Sequence, residues 1–497
     1  MTSAIRMPLV ILTVSAAALT AGPVPAAESP KDETKVVRIA APARNEPEPA
    51  MKYYLLPRPL EQKPGNAILL YDMAQQLLPV EKDPNKAAKL RERIDEYLKI
   101  PLDDFPVGEA EELLQRNFHI TALRQVRAGA MRREADWGIA LEHGFEALLP
   151  PNIGDYRRMA RLLALRARVE IVQGRYDQAI ETIKTGLTMG RHVADGAPIL
   201  VTTLIGIAIE ETMLKCVEDV IGRGGPNLYW ALAQLPDPLV DIRPAVAWES
   251  QWLVMSSLPL KKAQAGIMSK SEADAMLKSL VDLMAMTGEP DGPGSSERKG
   301  SLARVAMVLR FYGPGKKALI RAGRSKKQVD AMPEAQVVVL HLLGDYIRWR
   351  DEMFKWFNLP YWQAYAGLSR TEQDFKRWIR AEGRSNPLTA LLPALRMSYT
   401  VQTRLDRTRV ALQTVESIRA FTADNPRLPK TLDELDLPAP VDPMTGKALP
   451  YQADGLSFTL DGAVPEGVPA RYAVRYQVEL TLPERPAATT RPAAPNR

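Results

Sequence analysis

Two helix-periodic apolar runs follow one another between residues 155 and 193, and a single glycine, Gly174, separates them. Apolar side chains that recur every three or four residues share one face of a helix, and a glycine just past such a run ends it. Small residues allow two helices to approach closely, so the stretch predicts a tightly packed antiparallel hairpin. The apolar and small positions are Leu162, Leu163, Leu165, Ala167, Val169 and Ile171, then Ala179, Ile180, Ile183, Gly186, Leu187 and Met189.

The second run opens with the pattern Gly174-x-Tyr176-x-x-Ala179-Ile180. This pattern resembles the start of the second helix of a tetratricopeptide repeat, and the likeness over 161–193 covers about one repeat of roughly 34 residues. Proteins of that family build grooves that bind peptides and partner proteins, so the resemblance implies interaction rather than chemistry. A single hairpin without a groove is the alternative, because a solenoid needs about three repeats to bury its faces.

Helix-periodic segments separated by Pro and Gly turns fill most of the chain on both sides of this hairpin. We expect a helical domain over residues 66–287, a flexible Gly/Pro/Ser loop over 288–301 and a second helical region over 302–396. The predicted fold class is therefore mainly α, built from antiparallel helical hairpins that are partly tetratricopeptide-like, with a small α+β module at the C-terminus.

Residues 397–482 combine a long helical pattern with the clearest strand pattern of the chain, the alternating run RYAVRYQVELTL at 471–482. Strict alternation of apolar and polar residues is typical of a half-buried strand. The segment between these elements resembles the soluble part of the major pseudopilins of type II secretion. The matching residues are Leu428, Pro429, Leu432, Leu435, Asp442, Pro443, Gly446 and Tyr451.

The pseudopilin resemblance implies a calcium site and a connection to a secretion apparatus. Asp442 and Asp461 would supply oxygen atoms, although calcium takes six to eight of them. Asp442 also precedes a proline, which favours a turn-forming role instead. The family's membrane-embedded N-terminal helix is missing, since residues 1–396 of other sequence precede the module.

The two ends of the chain differ from its centre in composition. Residues 1–26 read as a signal peptide, with Arg6, the apolar stretch Leu9–Leu19 and a small-residue site at Val24-Pro25-Ala26. We expect an extended or disordered linker over 27–65 and a disordered Pro/Ala/Thr tail over 483–497. Beyond the signal no apolar run approaches the length of a membrane span. The sequence therefore predicts an exported protein, periplasmic or extracellular.

Charge and cysteine content narrow the possible functions. A net charge of +6 over 497 residues is mild and gives no reason to expect a nucleic-acid partner. The single cysteine, Cys216, rules out an intrachain disulfide framework. The helical body, the C-terminal module and the tail TTRPAAP together resemble uncharacterised exported proteins of planctomycete-type bacteria, a family that implies no particular activity.

Motifs of common enzyme classes are not found. The four histidines have no metal-ligand spacing, and the chain has no H-E-x-x-H, G-x-S-x-G, P-loop or G-x-G-x-x-G. We therefore predict no catalytic, cofactor-binding or metal-binding residue. Glu210, Glu211 and Glu249 interrupt apolar helices, and a desolvated carboxylate is useful for proton transfer. The alternative hypothesis is a hydrolase or lyase that acts on an envelope glycan or peptide through such a carboxylate in a helical cleft.

An aromatic cluster and a basic run are the remaining candidates for binding. Trp349, Trp356 and Trp362 belong to the dense aromatic stretch 346–365, which either contacts a ligand or forms the core of the second half. The basic run either contacts an anionic surface or is a solvated face. It comprises Lys316, Lys317, Arg321, Arg324, Lys326 and Lys327.

The leading functional hypothesis is an exported, non-enzymatic protein that binds or scaffolds a protein or peptide partner. It depends on the tetratricopeptide-like pattern and on the missing catalytic motifs. The envelope-polymer hydrolase is one alternative. An accessory of a secretion apparatus is the other, and it depends on the C-terminal module alone.

Overall fold

A computed structural model describes residues 34–78, 84–138, 153–256, 258–287, 297–381, 386–388, 392 and 395–482. Within these residues the protein is mainly helical and carries a small sheet near its C-terminus, which confirms the predicted fold class. The predicted signal peptide (1–26) and tail (483–497) lie outside the described residues.

The first half contains ten helices and three strands among the described residues. They are β1 (Val36–Pro42), β2 (Lys63–Asn66), α1 (Ala67–Leu77), α2 (Pro84–Tyr97), α3 (Val107–Leu114), α4 (Asn117–Ala130), β3 (Arg132–Glu134), α5 (Gly154–Val172), α6 (Tyr176–Asp195), α7 (Leu200–Gly222), α8 (Tyr229–Ala233), α9 (Arg243–Ser256) and α10 (Leu258–Ala265).

The second half continues with helices and ends in the strands of the sheet. Its elements are α11 (Lys270–Thr287), α12 (Glu297–Arg321), α13 (Lys326–Asp330), α14 (Glu334–Phe354), α15 (Tyr361–Ala381), α16 (Leu395–Asp424), β4 (Tyr451–Asp454), β5 (Ser457–Gly462) and β6 (Val474–Thr481). Because α12 already begins at Glu297, the predicted flexible loop 288–301 is wrong for its last five residues, and 288–296 lie outside the described residues.

The predicted hairpin is formed by α5 and α6, and Gly174 between them has a φ of +71°, which favours glycine. Helix α7 packs against α6 so closely that their backbones touch. A Cβ placed on Gly206 would lie 2.6 Å from the carbonyl oxygen of Gly190 and 2.7 Å from Cβ of Ala194. The hairpin is therefore part of the central core, and most of α6 is buried.

The sheet joins the two ends of the chain in the order β1-β6-β5-β4. Strand β1 pairs in parallel with β6, with Ile39 opposite Val478 and Ala41 opposite Leu480. The predicted linker over 27–65 is therefore wrong at Val36–Pro42, which belong to the sheet. The physical reason is that Val36–Pro42 is a short apolar run that becomes ordered only through pairing with a strand more than 400 positions away.

Helix α16 runs through the interior and carries two ion pairs that are fully buried. Arg407 donates hydrogen bonds to both carboxylate oxygens of Asp442, at 2.8 and 2.6 Å. Its third nitrogen donates to the carbonyl of Gly462 at 2.7 Å. Arg419 pairs with Glu416 at 2.6 Å and also reaches the carbonyl of Pro42 in β1. These contacts connect the helix to both the sheet and the N-terminal strand.

One continuous hydrophobic core contains residues from the predicted segments 66–287, 302–396 and 397–482. These segments therefore do not correspond to separate cores, and the C-terminal module is not an independent unit. Among the described residues, no helix is both long and apolar enough to cross a membrane.

The contact between α6 and α7 gives a first prediction. Gly206→Ala is expected to lower the free energy of unfolding by about 1–3 kcal/mol, because overpacking a tight contact costs that much. Gly344→Ala is the control, since Gly344 lies in α14 with nothing within 4 Å of an added Cβ. There alanine should raise stability by about 0.5–1 kcal/mol. Urea unfolding monitored by circular dichroism measures both, and equal effects would refute the close crossing.

The buried pair of Arg407 and Asp442 gives a second prediction. Asp442→Asn should reduce the free energy of unfolding by about 3–5 kcal/mol, because it leaves the guanidinium buried without its counter-charge. Asp282→Asn removes one partner of the exposed Lys278–Asp282 pair on α11, and it should cost less than about 1 kcal/mol. Chemical denaturation of the two variants under the same conditions tests this, and a loss at Asp442 no larger than at Asp282 would contradict it.

Candidate functional site

A cleft of about 970 Å³ lies where the sheet meets the C-terminal end of α7. Its walls come from parts of the chain that are distant in sequence: residues 35–40 at β1, the segment 98–103, the end of α7 and the strands β4 to β6. A concave surface built at the junction of several elements is the usual place for a binding site. We therefore take this cleft as the candidate functional site.

The polar face of the sheet forms one side of the cleft. Along β6 the exposed residues Gln477 and Glu479 alternate with the buried Val478 and Leu480, so the two faces of the strand differ in polarity. Two rows of side chains cross all four strands on the polar side, and all eight line the cleft. The rows are Arg38, Gln477, Thr459 and Gln452, then Ala40, Glu479, Ser457 and Asp454.

The free edge of β1 borders the cleft. The backbone N–H of Ala43 donates to the carbonyl of Thr481 at 2.8 Å, just beyond the last pair of the β1–β6 ladder. In a parallel pair, alternate residues direct their backbone groups toward the partner strand. The odd-numbered residues of β1 therefore face β6. Arg38 and Ala40, which both line the cleft, direct their N–H and C=O groups to the side where the described sheet has no further strand.

Two arginines fix the opposite wall. Arg168 of α5 donates to the carbonyls of Tyr97 and Ile100 at 2.6 and 2.5 Å, and its Nε lies 3.1 Å from the carboxylate of Asp219. Arg223, just after α7, binds Asp103 at 2.7 Å and the carbonyl of Leu102 at 2.6 Å. The segment 98–103 is therefore held against the end of α7.

Two adjacent carboxylates of α7 line the cleft. The hydroxyl of Tyr476 donates to Oε1 of Glu218 at 2.5 Å, but burial outweighs this bond and raises the pKa of Glu218 to about 7. Burial also raises the pKa of Asp219, to about 6, against the opposing charge of Arg168. Glu218 also lines a smaller cavity of about 30 Å³, together with Glu211 and Arg404.

The carboxylates that the sequence singled out lie elsewhere. Glu210 is only 3% exposed, and burial raises its pKa well above the usual range. Glu249 accepts a hydrogen bond from the N–H of Leu200, the first residue of α7, at 2.8 Å. Burial raises the pKa of Glu249 to about 7. Neither lines the cleft. Glu211 accepts a hydrogen bond from Arg404 at 2.8 Å and lines only the smaller cavity.

The three tryptophans named as ligand-binding candidates do not line the cleft either, and each packs against different partners. Trp349 packs against Phe375 and Trp378 at tilted angles, with ring centroids 5.3 and 5.6 Å away. The ring of Trp356 covers Gly367, and its Nε1 donates to Thr371 at 3.0 Å. Trp362, 47% exposed, lies against Gly446. Their role as ligand-binding residues stays a prediction.

Of the oxygens that the pseudopilin resemblance implied for calcium, both of Asp442 and one of Asp461 are engaged by protein groups. Besides Arg407, Asp442 accepts hydrogen bonds from the N–H of Met444 at 3.0 Å and the hydroxyl of Thr445 at 2.8 Å. Asp461 pairs with Arg475 at 2.5 Å. Among the described residues, no group of three or more His, Cys, Asp or Glu side chains is placed to hold a metal ion. Asp442 therefore acts as a turn-forming residue and as the counter-charge of Arg407.

Sequence reasoning missed the residues that form the cleft. The signal for β1 was present as the β-branched run Val36, Val37 and Ile39, which is typical of a strand. Nothing in the local sequence distinguishes Glu218 and Asp219 from other polar residues of a helix. Only their position at the edge of the sheet makes them part of a site.

No protein-family model, curated protein or solved structure matches the chain. The resemblances to tetratricopeptide repeats, to pseudopilins and to exported planctomycete proteins therefore stay predictions. The geometry of the cleft is the basis for the function proposed below.

The raised pKa of Glu218 gives a third prediction. A carboxyl whose pKa is higher in the folded than in the unfolded protein favours folding below its unfolded pKa, and that contribution disappears as the pH rises through the folded value. Between about pH 5 and pH 8 the wild type should therefore lose on the order of 2 kcal/mol of stability relative to Glu218→Gln. Denaturant melts across this range measure the difference.

The control is Glu112→Gln, which removes an exposed carboxylate on α3. Its stability relative to the wild type should stay constant over the same pH range. A constant difference for Glu218→Gln as well would show that this carboxyl titrates normally.

Proposed function

We propose that the chain is an exported, non-enzymatic binding protein whose cleft receives an extended peptide segment along β1. The single observation that carries the proposal is the backbone edge at Arg38 and Ala40 inside the cleft, which no strand of the described residues covers. Export depends on the signal-peptide pattern in residues 1–26 alone.

An extended peptide matches the chemistry of this edge. Unpaired N–H and C=O groups on an edge strand accept another strand, whose main chain supplies the hydrogen bonds and whose alternate side chains supply the specificity. Lys35 and residues 37–40 of β1 line the cleft, and the stretch from 35 to 40 measures roughly 20 Å at about 3.3 Å per residue. That length accommodates about six residues of a partner strand.

The charges of the lining also favour a peptide. Lys35, Arg38 and Lys99 are exposed near β1, whereas Asp454 and Glu479 lie across the sheet on β4 and β6. A polyanion such as nucleic acid is bound by a surface of one sign. A mixed lining instead fits a ligand that carries both charged and neutral side chains.

The helical hairpin supports this choice of surface by exclusion. A tetratricopeptide groove needs an open concave helix face, but most residues of α5 and α6 are buried in the central core. Because the hairpin is mostly buried, we place the binding surface for a partner at the edge of the sheet instead.

Proline substitutions along β1 give the fourth prediction and test the proposal. Peptides selected from a displayed random library on the mature protein provide the ligand, and fluorescence anisotropy measures its affinity. Ala40→Pro should weaken binding at least about tenfold, because it removes a free-edge N–H that one ladder hydrogen bond requires. The free energy of unfolding should stay within about 1 kcal/mol of the wild-type value, since proline is tolerated where the N–H faces away from the ladder.

Ala41→Pro is the matched control. Its N–H faces β6, so the substitution breaks the existing ladder and should cost about 2 kcal/mol of stability. Hydrogen exchange at Arg38 and Ala40 should slow when peptide is bound to the wild type. A selected peptide that binds Ala40→Pro as tightly as the wild type, with unchanged exchange along β1, would eliminate strand addition.

The hydrolase alternative has one supporting observation, the position of Glu218 in the cleft. A carboxyl with a pKa near 7 is protonated in part at neutral pH and can act as a general acid. Activity on envelope glycan or peptide that Glu218→Gln abolishes would favour this alternative. Retained peptide binding in Glu218→Gln, with no turnover by the wild type, favours the binding protein.

A further inference from the structure

The positive charge of the protein is concentrated on one helix and the turn that follows it. Residues 298–327, which cover α12 after its first residue Glu297 and the start of α13, contain ten Lys and Arg residues and no Asp or Glu. The whole chain has a net charge of +6, so the remainder carries a net charge of −4. This segment therefore differs in charge from the rest of the molecule.

The outward face of α12 is apolar. Leu302 is 71% exposed, Val305 52%, Leu309 81% and Ile320 40%. Residues 302, 305 and 309 follow helical spacing, and residue 320 returns to the same face three turns later. The opposite face, with Met307, Phe311 and Leu319, is buried in the core where α12 packs against α14. Helix α12 thus has two apolar faces, and the described residues cover only one of them.

Basic side chains border this exposed stripe. Lys317 and Arg321 are exposed and lie one helical step from it, and Lys326 and Lys327 continue the series after the helix. Other bases of the run are engaged: Lys316 pairs with Asp330 at 2.5 Å, and Arg324 donates to the carbonyl of Gln264 at 2.8 Å. Long basic side chains at the edge of an apolar stripe keep their charge in water while their stems contact apolar groups.

We propose that α12 binds the surface of an anionic lipid bilayer, with its apolar stripe inserted between the headgroups. An interfacial helix combines an exposed apolar face with flanking Lys and Arg, and each basic residue near an anionic surface adds attraction. Residues 302–309 span about 10 Å of the helix, and Ile320 lies about 27 Å from residue 302, beyond Gly313, Pro314 and Lys316. The helix lies along the surface, since its other face is held in the protein core.

Charge complementarity selects a bilayer over a protein partner. Protein interfaces bring patches of opposite charge together, so a protein partner would have to present an acidic surface that matches both the bases and the apolar stripe of α12. A lipid surface needs no register and attracts a uniformly basic segment. The segment 298–327 is uniformly basic, so we favour the bilayer. Binding to an acidic protein or to a second copy of the chain is an alternative result that the experiment can reveal.

The experiment is co-sedimentation of the full mature chain with lipid vesicles. One set contains phosphatidylcholine alone, and the other contains phosphatidylcholine mixed with phosphatidylglycerol. We expect binding to the anionic vesicles only, with a marked decrease at high salt because exposed charges are screened. Leu302→Ser/Leu309→Ser should lower the partition coefficient at least about tenfold, and Lys317→Gln/Arg321→Gln about fivefold for each charge removed.

Two control variants carry the same chemical changes elsewhere. Leu60→Ser alters a fully exposed leucine outside α12, and Lys430→Gln removes an exposed charge near the C-terminal sheet. Both should bind anionic vesicles like the wild type, and unchanged melting temperatures would show that all variants are folded. Equal binding to both vesicle types overturns the proposal. So does equal binding by all variants, or self-association through α12 without lipid binding.

Discussion

The contact between the backbones of α6 and α7 determines how the remaining helices are placed. Gly190 and Gly206 meet where any side chain would separate the two helices, and Ala194 fills the adjacent space. The close approach lets the flanking apolar residues of both helices interdigitate over a long interface. Such packing stabilises the fold most where it leaves few voids. Helix α7 then extends beyond this contact to the sheet, where Gly222 lies against Ile39 of β1. The position of the cleft therefore follows from a helix crossing at the other end of α7.

Much of this architecture could be predicted from the sequence because it is local. The hairpin, the long helices and the alternating strand β6 each have a periodicity that a window of about 10–15 residues reveals. Strand β1 has no such periodicity in the sequence. Its run is short, its partner is at the other end of the chain, and the surrounding Pro and Glu residues resemble a linker. The buried pair of Arg407 and Asp442 was equally hidden, since nothing local indicates which arginine will face which aspartate.

The same difference between local and long-range information applies to the candidate site. Glu210 was a reasonable choice from the sequence, because it interrupts an apolar stretch of α7. That position lies at the crossing with α6, where Cγ of Glu210 would be 2.8 Å from a Cβ on Gly190, so no ligand reaches it. Glu218 lies about two turns further along the same helix, where α7 leaves the core and meets the sheet. Burial perturbs both carboxyls, but only the second lines a cleft, so position relative to the sheet decides which of them has access to a partner.

The distribution of charge separates the two proposed surfaces. Ten basic residues lie between positions 298 and 327, whereas the cleft is lined by both signs and takes no residue from that segment. Attraction of α12 to an anionic surface therefore does not draw the same ligand into the cleft. Because the contacts of α12 in the core come from Met307, Phe311 and Leu319, its outer residues are available without any rearrangement of the fold. A protein held at a bilayer by one helix would keep its strand edge open to a peptide, and each surface would act through its own residues.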